Sequence, residues 1–186
     1  MNRLHNWYCN RGAWKRYVRE DLVPPAIDGL DLDGAILEVG PGFGPATEVL
    51  ADRAGRLTAL EIDRRLAASL RVRLGERAEI VDGDGTAMPF ADASFDAVAC
   101  FTMLHHVPSP TAQDRLFAEV ARVLRPGGAF VGTDSLGEGI GFWLLHIGDT
   151  KVIVPPASLP GRLSDLGFRE VQVTTDDAAL RFSARR

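Results

Sequence analysis

The chain has little cysteine, no long apolar run and no excess of positive charge, and each shortage removes a class of function. Only two cysteines, Cys9 and Cys100, occur in 186 residues, far apart and without metal-ligand spacing. Neither a disulfide framework nor a cysteine-based metal module is expected, and both thiols read as reduced and structural. No stretch approaches the roughly 20 apolar residues needed to cross a bilayer. The opening residues from Met1 to Trp7 carry one early positive charge and no apolar run behind it, so they do not read as a signal peptide, and a cytoplasmic location is expected. The formal charge is −4 and the isoelectric point about 5.6. Nucleic-acid affinity needs clustered Lys and Arg, so a small-molecule partner is expected and no nucleic acid. The one basic stretch, Arg64 and Arg65 through Arg71 and Arg73, has helical spacing and reads as a solvated helix face.

What is present is an ordinary globular composition, 46% hydrophobic and 25% charged, over a length that suits one domain, 1–186. Short apolar runs alternate with amphipathic segments, the pattern of an α/β domain with a largely parallel sheet. Strands are expected at 35–39, 57–62, 79–82, 95–102, 129–133, 171–174 and 180–184, with helices at 45–54, 64–74 and 112–124. The motif Pro126-Gly127-Gly128 should end the last of these helices abruptly, and the final two strands, close together through Asp176-Asp177, suggest a hairpin. Residues 1–25 form an N-terminal helical cap that carries Trp7, Tyr8, Trp14 and Tyr17 and should break at Pro24-Pro25. Residues 135–158, punctuated by glycines around Phe142-Trp143-Leu144-Leu145, show no firm internal structure, and a connection of that length reads as a binding loop or lid.

The first strand ends in Glu38-Val39-Gly40, and the chain resumes as a helix at Pro45, so Gly40, Gly42 and Gly44 make a turn at the carboxyl edge of the sheet. Open α/β sheets bind ligands at that edge, and glycine lets backbone and ligand approach closely. Dinucleotide oxidoreductases use a related turn, but their third glycine falls three positions after the second, where this chain has Pro45; here it follows after two, at Gly44. Glu61 ends the second strand twenty-one residues past Gly40, where a carboxylate can accept hydrogen bonds from both hydroxyls of a ribose, or can simply be an exposed acid at a strand end. Asp63 reads as the N-cap of the helix that starts at Arg64.

Farther on stand Asp82-Gly83-Asp84-Gly85-Thr86-Ala87-Met88-Pro89-Phe90, then Ser94-Phe95-Asp96 opening the fourth strand, then Leu124-Arg125-Pro126-Gly127-Gly128 before the fifth. With the glycine loop and Glu61 these motifs, in this order, resemble the class I S-adenosylmethionine-dependent methyltransferases, in the branch that includes quinone-biosynthesis and other small-molecule enzymes. The resemblance covers 35–133 closely and the tail more loosely. It implies a Rossmann-like seven-stranded, mostly parallel sheet of order 3-2-1-4-5-7-6, with helices on both faces and a C-terminal antiparallel hairpin. It also implies S-adenosyl-L-methionine as cofactor, with S-adenosyl-L-homocysteine as product. Glu38, Gly40, Gly42 and Gly44 would lie along the methionine and adenosine side, Glu61 would hold the ribose, Asp84 would contact the adenine amino group, and Thr86 and Thr102 would lie nearby. Ile62 and Met88 would pack the adenine or, equally, the core.

A sulfonium already makes its methyl group electrophilic, so the protein must chiefly align an acceptor in line and exclude water. A general base helps only where the acceptor enters protonated. After the fourth strand come Leu104-His105-His106, a pair similar family members carry where the methyl would lie; one ring is expected to face the site and the other to pack or cap a helix. His146 with Asp149, and Asp134 just past the fifth strand, are further acceptor-side candidates, each with a plain surface or turn reading beside it. Residues 135–158 become the acceptor-side loop, and Trp7, Tyr8, Trp14, Phe142 and Trp143 line or cover the acceptor pocket or serve core or homodimer contacts.

Absences narrow the acceptor to a small, partly apolar molecule. Cys100-Phe101-Thr102-Met103 stands where amino-methylating DNA enzymes carry Asn/Asp-Pro-Pro-aromatic, and Cys100 lacks the Pro-Cys context of cytosine C5 enzymes. Thr102 and Met103 cannot supply a magnesium site, and His5, His105, His106 and His146 look too scattered for zinc, so no metal is expected. Two alternatives stay open: a non-catalytic cofactor-binding or scaffold protein that kept the fold, and a nicotinamide-dependent oxidoreductase.

Overall fold

In the computed structural model, residues 2–176 and 179–186 are described. Helices α1 (Arg3–Cys9) and α2 (Gly12–Tyr17) lead through a π-turn, Val18–Leu22, into α3 (Val23–Ala26). The core then runs β1 (Ala35–Val39), α4 (Pro45–Ala51), β2 (Arg56–Glu61), α5 (Arg64–Leu74), β3 (Glu79–Asp82), β4 (Phe95–Phe101), α6 (Pro110–Val123) and β5 (Leu124–Ser135). It closes with α7 (Gly139–Leu145), α8 (Leu159–Ser164), β6 (Arg169–Thr175) and β7 (Ala179–Arg185).

Seven strands form one sheet in the order β3-β2-β1-β4-β5-β7-β6, the order the resemblance implies. Strands β1 to β5 pair in parallel, and β7 pairs antiparallel with both β5 and β6. Asp177, in the expected hairpin turn, lies outside the described residues.

Alternation along the strands splits the core into two apolar layers. Ala35, Leu37 and Val39 of β1, Val98 and Cys100 of β4 and Phe130 of β5 pack with Leu116, Phe117 and Val120 of α6 and with Leu159 and Leu163 of α8. Ile36, Ala97, Ala99, Phe101 and Val131 point the other way and pack with Val23 of α3, Leu50 of α4 and Leu70 and Leu74 of α5. All five residues of β1 are buried, because helices cover both faces. Asp96 ties the edge of this core together: its carboxylate accepts from the Ala35 N–H at 2.7 Å and pairs with Arg125 at 2.5 Å. Those two partners hold its carboxyl below the usual range.

Several expectations are corrected. Pro24 and Pro25 do not break the N-terminal helical path but start α3, because the first turn of a helix needs no N–H donor. Pro126-Gly127-Gly128 does not merely stop α6, which ends at Val123; it lies within β5, in an irregularity where Leu124 pairs with Phe95 and Ala129 with Ala97. The segment 135–158 holds a helix of its own, α7. Of the two readings left open for Met88, the structure has the core one: its side chain is buried in the first apolar layer.

Candidate active site

Every parallel strand ends at the same edge, and a cleft of about 1410 Å³ opens there. That exceeds the ~300–1,000 Å³ typical of one small ligand and leaves room for two. Gly40, Gly42 and Gly44 all have positive φ, at 72°, 57° and 83°. The three serve different ends. A Cβ on Gly40 would stand 2.9 Å from the Met103 side chain and one on Gly44 would stand 2.6 Å from Leu70, so these two allow close packing. A Cβ on Gly42 would meet nothing within 4 Å, so here only the backbone turn and the open space of the cleft require glycine. The loop is braced from behind by Arg73, which donates to the Phe43 carbonyl at 2.6 Å; Arg71 pairs with Asp82 at 2.8 Å, and both arginines, like Arg64 and Arg65, stay on the solvated face of α5.

Glu61 is buried, and its two carboxylate oxygens accept from the N–H groups of Gly42 and Asp63, both at 2.9 Å. It thus fastens the glycine loop to the end of β2 while lining the cleft. Burial raises its carboxyl, opposed by those backbone donors. Asp63 caps α5 as expected, accepting from Arg65 and Leu66. Glu38 is 1% exposed, and its Oε2 has no hydrogen-bond partner among the described residues. Burial pushes the Glu38 carboxyl up to about 7, opposed by the Thr47 hydroxyl, and the neighbouring Glu61 adds to the rise.

Ile62, 67% exposed, offers an apolar face on the cleft wall rather than a core contact. Asp84 and Thr86 line the same wall, with the Thr86 N–H donating to Asp84 Oδ1 at 2.8 Å. Thr102, at the end of β4, lines the cleft with φ at 51°, a strained value for a β-branched residue.

At the opposite end, three histidines meet. A 3₁₀ turn, Leu104–His106, follows β4, and in so tight a turn both histidines reach the cleft, where only one was expected to. Their ring centroids are 4.2 Å apart. His146, just past α7, is buried rather than on the surface, and its Nε2 lies 3.2 Å from Nε2 of His105. The expectation of scattered histidines is therefore overturned by the packing of α7 onto the turn. His105 Nδ1 is 2.5 Å from Oδ1 of Asp134, and Asp134 is itself buried. His146 Nδ1 donates to the Phe142 carbonyl at 2.7 Å.

Among the aromatic residues, Tyr8, Trp14 and Phe142 line the cleft, whereas Trp7 and Trp143, each at least half exposed, do not. Arg11 lies over the Trp7 ring and Lys151 over that of Trp143. Cys9 also lines the cleft, but burial pushes its thiol up to about 11, so it is protonated near neutrality and is no nucleophile.

Residues 37–132 match a family described as a methyltransferase domain, which is more than half of the chain. The chain belongs to this methyltransferase family. It is 32% identical over 134 residues to a ubiquinone biosynthesis O-methyltransferase of Idiomarina loihiensis, covering 70% of this chain and 53% of that one. It spans about half the length of the first curated relatives it matches. Among solved structures, a SAM-dependent methyltransferase from Aquifex aeolicus superposes with a TM-score of 0.77 at 16% identity, covering 100% of this chain and 98% of that one. PigF with SAH superposes with a TM-score of 0.68 at 18% identity, covering 92% and 56%. At those identities the likeness concerns the fold.

Within this methyltransferase domain, one supporting residue escaped sequence reading. Gln113 of α6 is fully buried; its Nε2 donates to the carbonyls of Leu104 and Val152, at 3.1 and 2.7 Å, and its Oε1 accepts from Arg162. It pins the histidine turn against the 150s segment, where the Val152 N–H also donates to the His105 carbonyl at 2.8 Å. A polar amide on the otherwise apolar face of Ala112, Leu116, Phe117 and Val120 was the available signal. No described helix is long and apolar enough to cross a membrane.

Proposed function

We propose that the chain binds S-adenosylmethionine and directs its methyl group to a small, partly apolar acceptor. The observation that carries this reading is the Glu61–Gly42 tie, which puts a buried carboxylate and a bare backbone at the mouth of one cleft. The residues present fit the cofactor. The unpartnered Oε2 of Glu38 is a buried acceptor that calls for a donor, the open face of Gly42 admits a ligand against the backbone, and the exposed Ile62 suits a flat aromatic base. Glu38, Gly40, Gly42 and Gly44 would hold the methionine and adenosine side, Glu61 the ribose, and Ile62, Asp84 and Thr86 the adenine, with Thr102 beside the reacting end. When bound, the cofactor supplies an electrophilic methyl group.

The chain's own residues then have three tasks. Tyr8, Trp14 and Phe142 give the acceptor an apolar wall and displace water from the cleft. His105 and His146, facing each other through Nε2 at 3.2 Å, are placed to receive the proton an acceptor hydroxyl or amine must lose. Asp134, on the far side of His105, fixes the orientation of the ring by accepting from Nδ1. His106 borders the same space.

Calorimetric titration with S-adenosylhomocysteine and with NAD tests the cofactor; saturable binding of the first and none of the second is expected, and a preference for NAD would sink the proposal. Incubation with methyl-labelled cofactor and a cell extract, followed by mass spectrometry, should then show a labelled small molecule. Cofactor binding without any label above background would favour a scaffold that kept the fold.

A further inference from the structure

The contact between His105 and His146 poses a question of protons. His146 Nδ1 faces a carbonyl oxygen, which can only accept, so that nitrogen carries the hydrogen. His105 Nδ1 faces the Asp134 carboxylate and carries its hydrogen for the same reason. In the neutral rings, both Nε2 atoms are therefore lone pairs, and they face each other at 3.2 Å in a buried place. Two acceptors so arranged need a cation between them. A third ring, His106, contributes a nitrogen that lies within 4.8 Å of the other two.

We propose that His105, His106 and His146 form a binding site for a divalent transition metal of the zinc class at the acceptor end of the cleft. Zn–N bonds of about 2.0–2.1 Å in a tetrahedron put ligand nitrogens about 3.3 Å apart, close to the separation of the His105 and His146 Nε2 atoms. The outer contacts fit too. Histidine ligands usually donate their second N–H to a carboxylate or backbone carbonyl, and Asp134 and Phe142 provide one of each. Three imidazoles suit zinc, copper, iron or nickel rather than magnesium or calcium, which prefer oxygen. Three ligands leave a fourth position, and the cleft lined by all three rings gives an incoming oxygen or nitrogen atom access to it. Metal and proton compete for the same lone pairs, so the metal-loaded form would polarise an acceptor atom by coordination instead of taking its proton onto a ring.

The site does not depend on methyl transfer, so its test is metal binding alone. The whole chain, stripped with a chelator, is titrated with zinc by calorimetry and with cobalt(II) by visible absorption. One equivalent is expected, with the cobalt ligand-field bands of a four- or five-coordinate nitrogen site. His146→Gln and His106→Gln should each weaken binding at least tenfold, and Asp134→Asn by about 10- to 100-fold through its effect on His105. Cys9→Ser should bind as the parent does. Melting temperature and S-adenosylhomocysteine affinity of each variant separate loss of the site from loss of the fold. Absence of stoichiometric binding in the parent, unchanged affinity in both histidine variants, or loss of binding in Cys9→Ser would overturn the proposal.

Discussion

Replacing Glu38 by Gln isolates the electrostatics of the cofactor end. Glu38 is almost wholly buried, its Oε2 lacks a partner, and its carboxyl is raised from 4.5 to about 7. A raised carboxyl pKa means that the folded chain holds a proton the unfolded chain has released. Below about pH 4.5 both states are protonated and the group costs nothing. As pH rises through 4.5 the unfolded state gains by ionising, so stability falls until pH passes about 7, and then levels off. At about 1.4 kcal/mol per unit the full penalty is on the order of 3 kcal/mol, of which about 2–3 kcal/mol develops between pH 5 and pH 8. Urea unfolding of the ligand-free chain at the two pH values should show that loss in the parent. Glu38→Gln keeps the volume and cannot ionise, so its stability should change by about 2 kcal/mol less over the same interval. In thermal melts the difference is roughly 4–8 °C for a chain of this size. Saturating S-adenosylhomocysteine, if it brings a donor to Oε2, should flatten the parent's curve. Parallel pH profiles for parent and variant would refute the reasoning, since every other titrating group is common to both.

Three further substitutions separate holding the fold from holding a ligand. Glu61→Ala removes the acceptor of both the Gly42 and Asp63 N–H groups, so S-adenosylhomocysteine affinity measured by calorimetry should fall by about 1–3 kcal/mol, with a few degrees lost in the melting temperature. Unchanged affinity would make Glu61 a structural tie alone. Gly44→Ala should destabilise by about 1–3 kcal/mol, since its Cβ meets Leu70 at 2.6 Å with φ at 83°. Gly42→Ala, with nothing near its Cβ, should cost about 1–2 kcal/mol in stability yet lower affinity at least tenfold; equal effects of the two substitutions on binding would contradict a ligand against Gly42.

The sheet was legible because its signals are local. A parallel strand covered on both faces is a short, mostly apolar run, as in β1 and in Ala97–Phe101 of β4. The glycine turn, the Asp63 cap and the acid at the end of β2 likewise follow from neighbours in sequence. The histidine cluster was not legible, because His105 and His146 are 41 positions apart and meet only through tertiary packing. The expectation that adjacent histidines point apart holds for a strand, where side chains alternate, but not for the 3₁₀ turn that carries them. Asp134 stands at the end of a strand, where nothing in sequence says which ring it will face.

The same contrast divides the cleft into two kinds of wall. At the glycine-loop end, the cleft-lining groups are backbone and carboxylates on the ends of β1, β2 and β3, fixed by strand pairing and by two apolar layers. Changing them disturbs the sheet. At the other end, His106 and His105 sit on a short turn, and His146 and Phe142 sit on or just past α7, outside the sheet. These are joined to the core by a few directed hydrogen bonds, from Gln113 and Val152 and to Asp134. A side chain on α7 can therefore change with little cost to the fold, whereas Gln113 cannot, since its loss would take the amide donor from the Val152 carbonyl and release the histidine turn from the 150s segment.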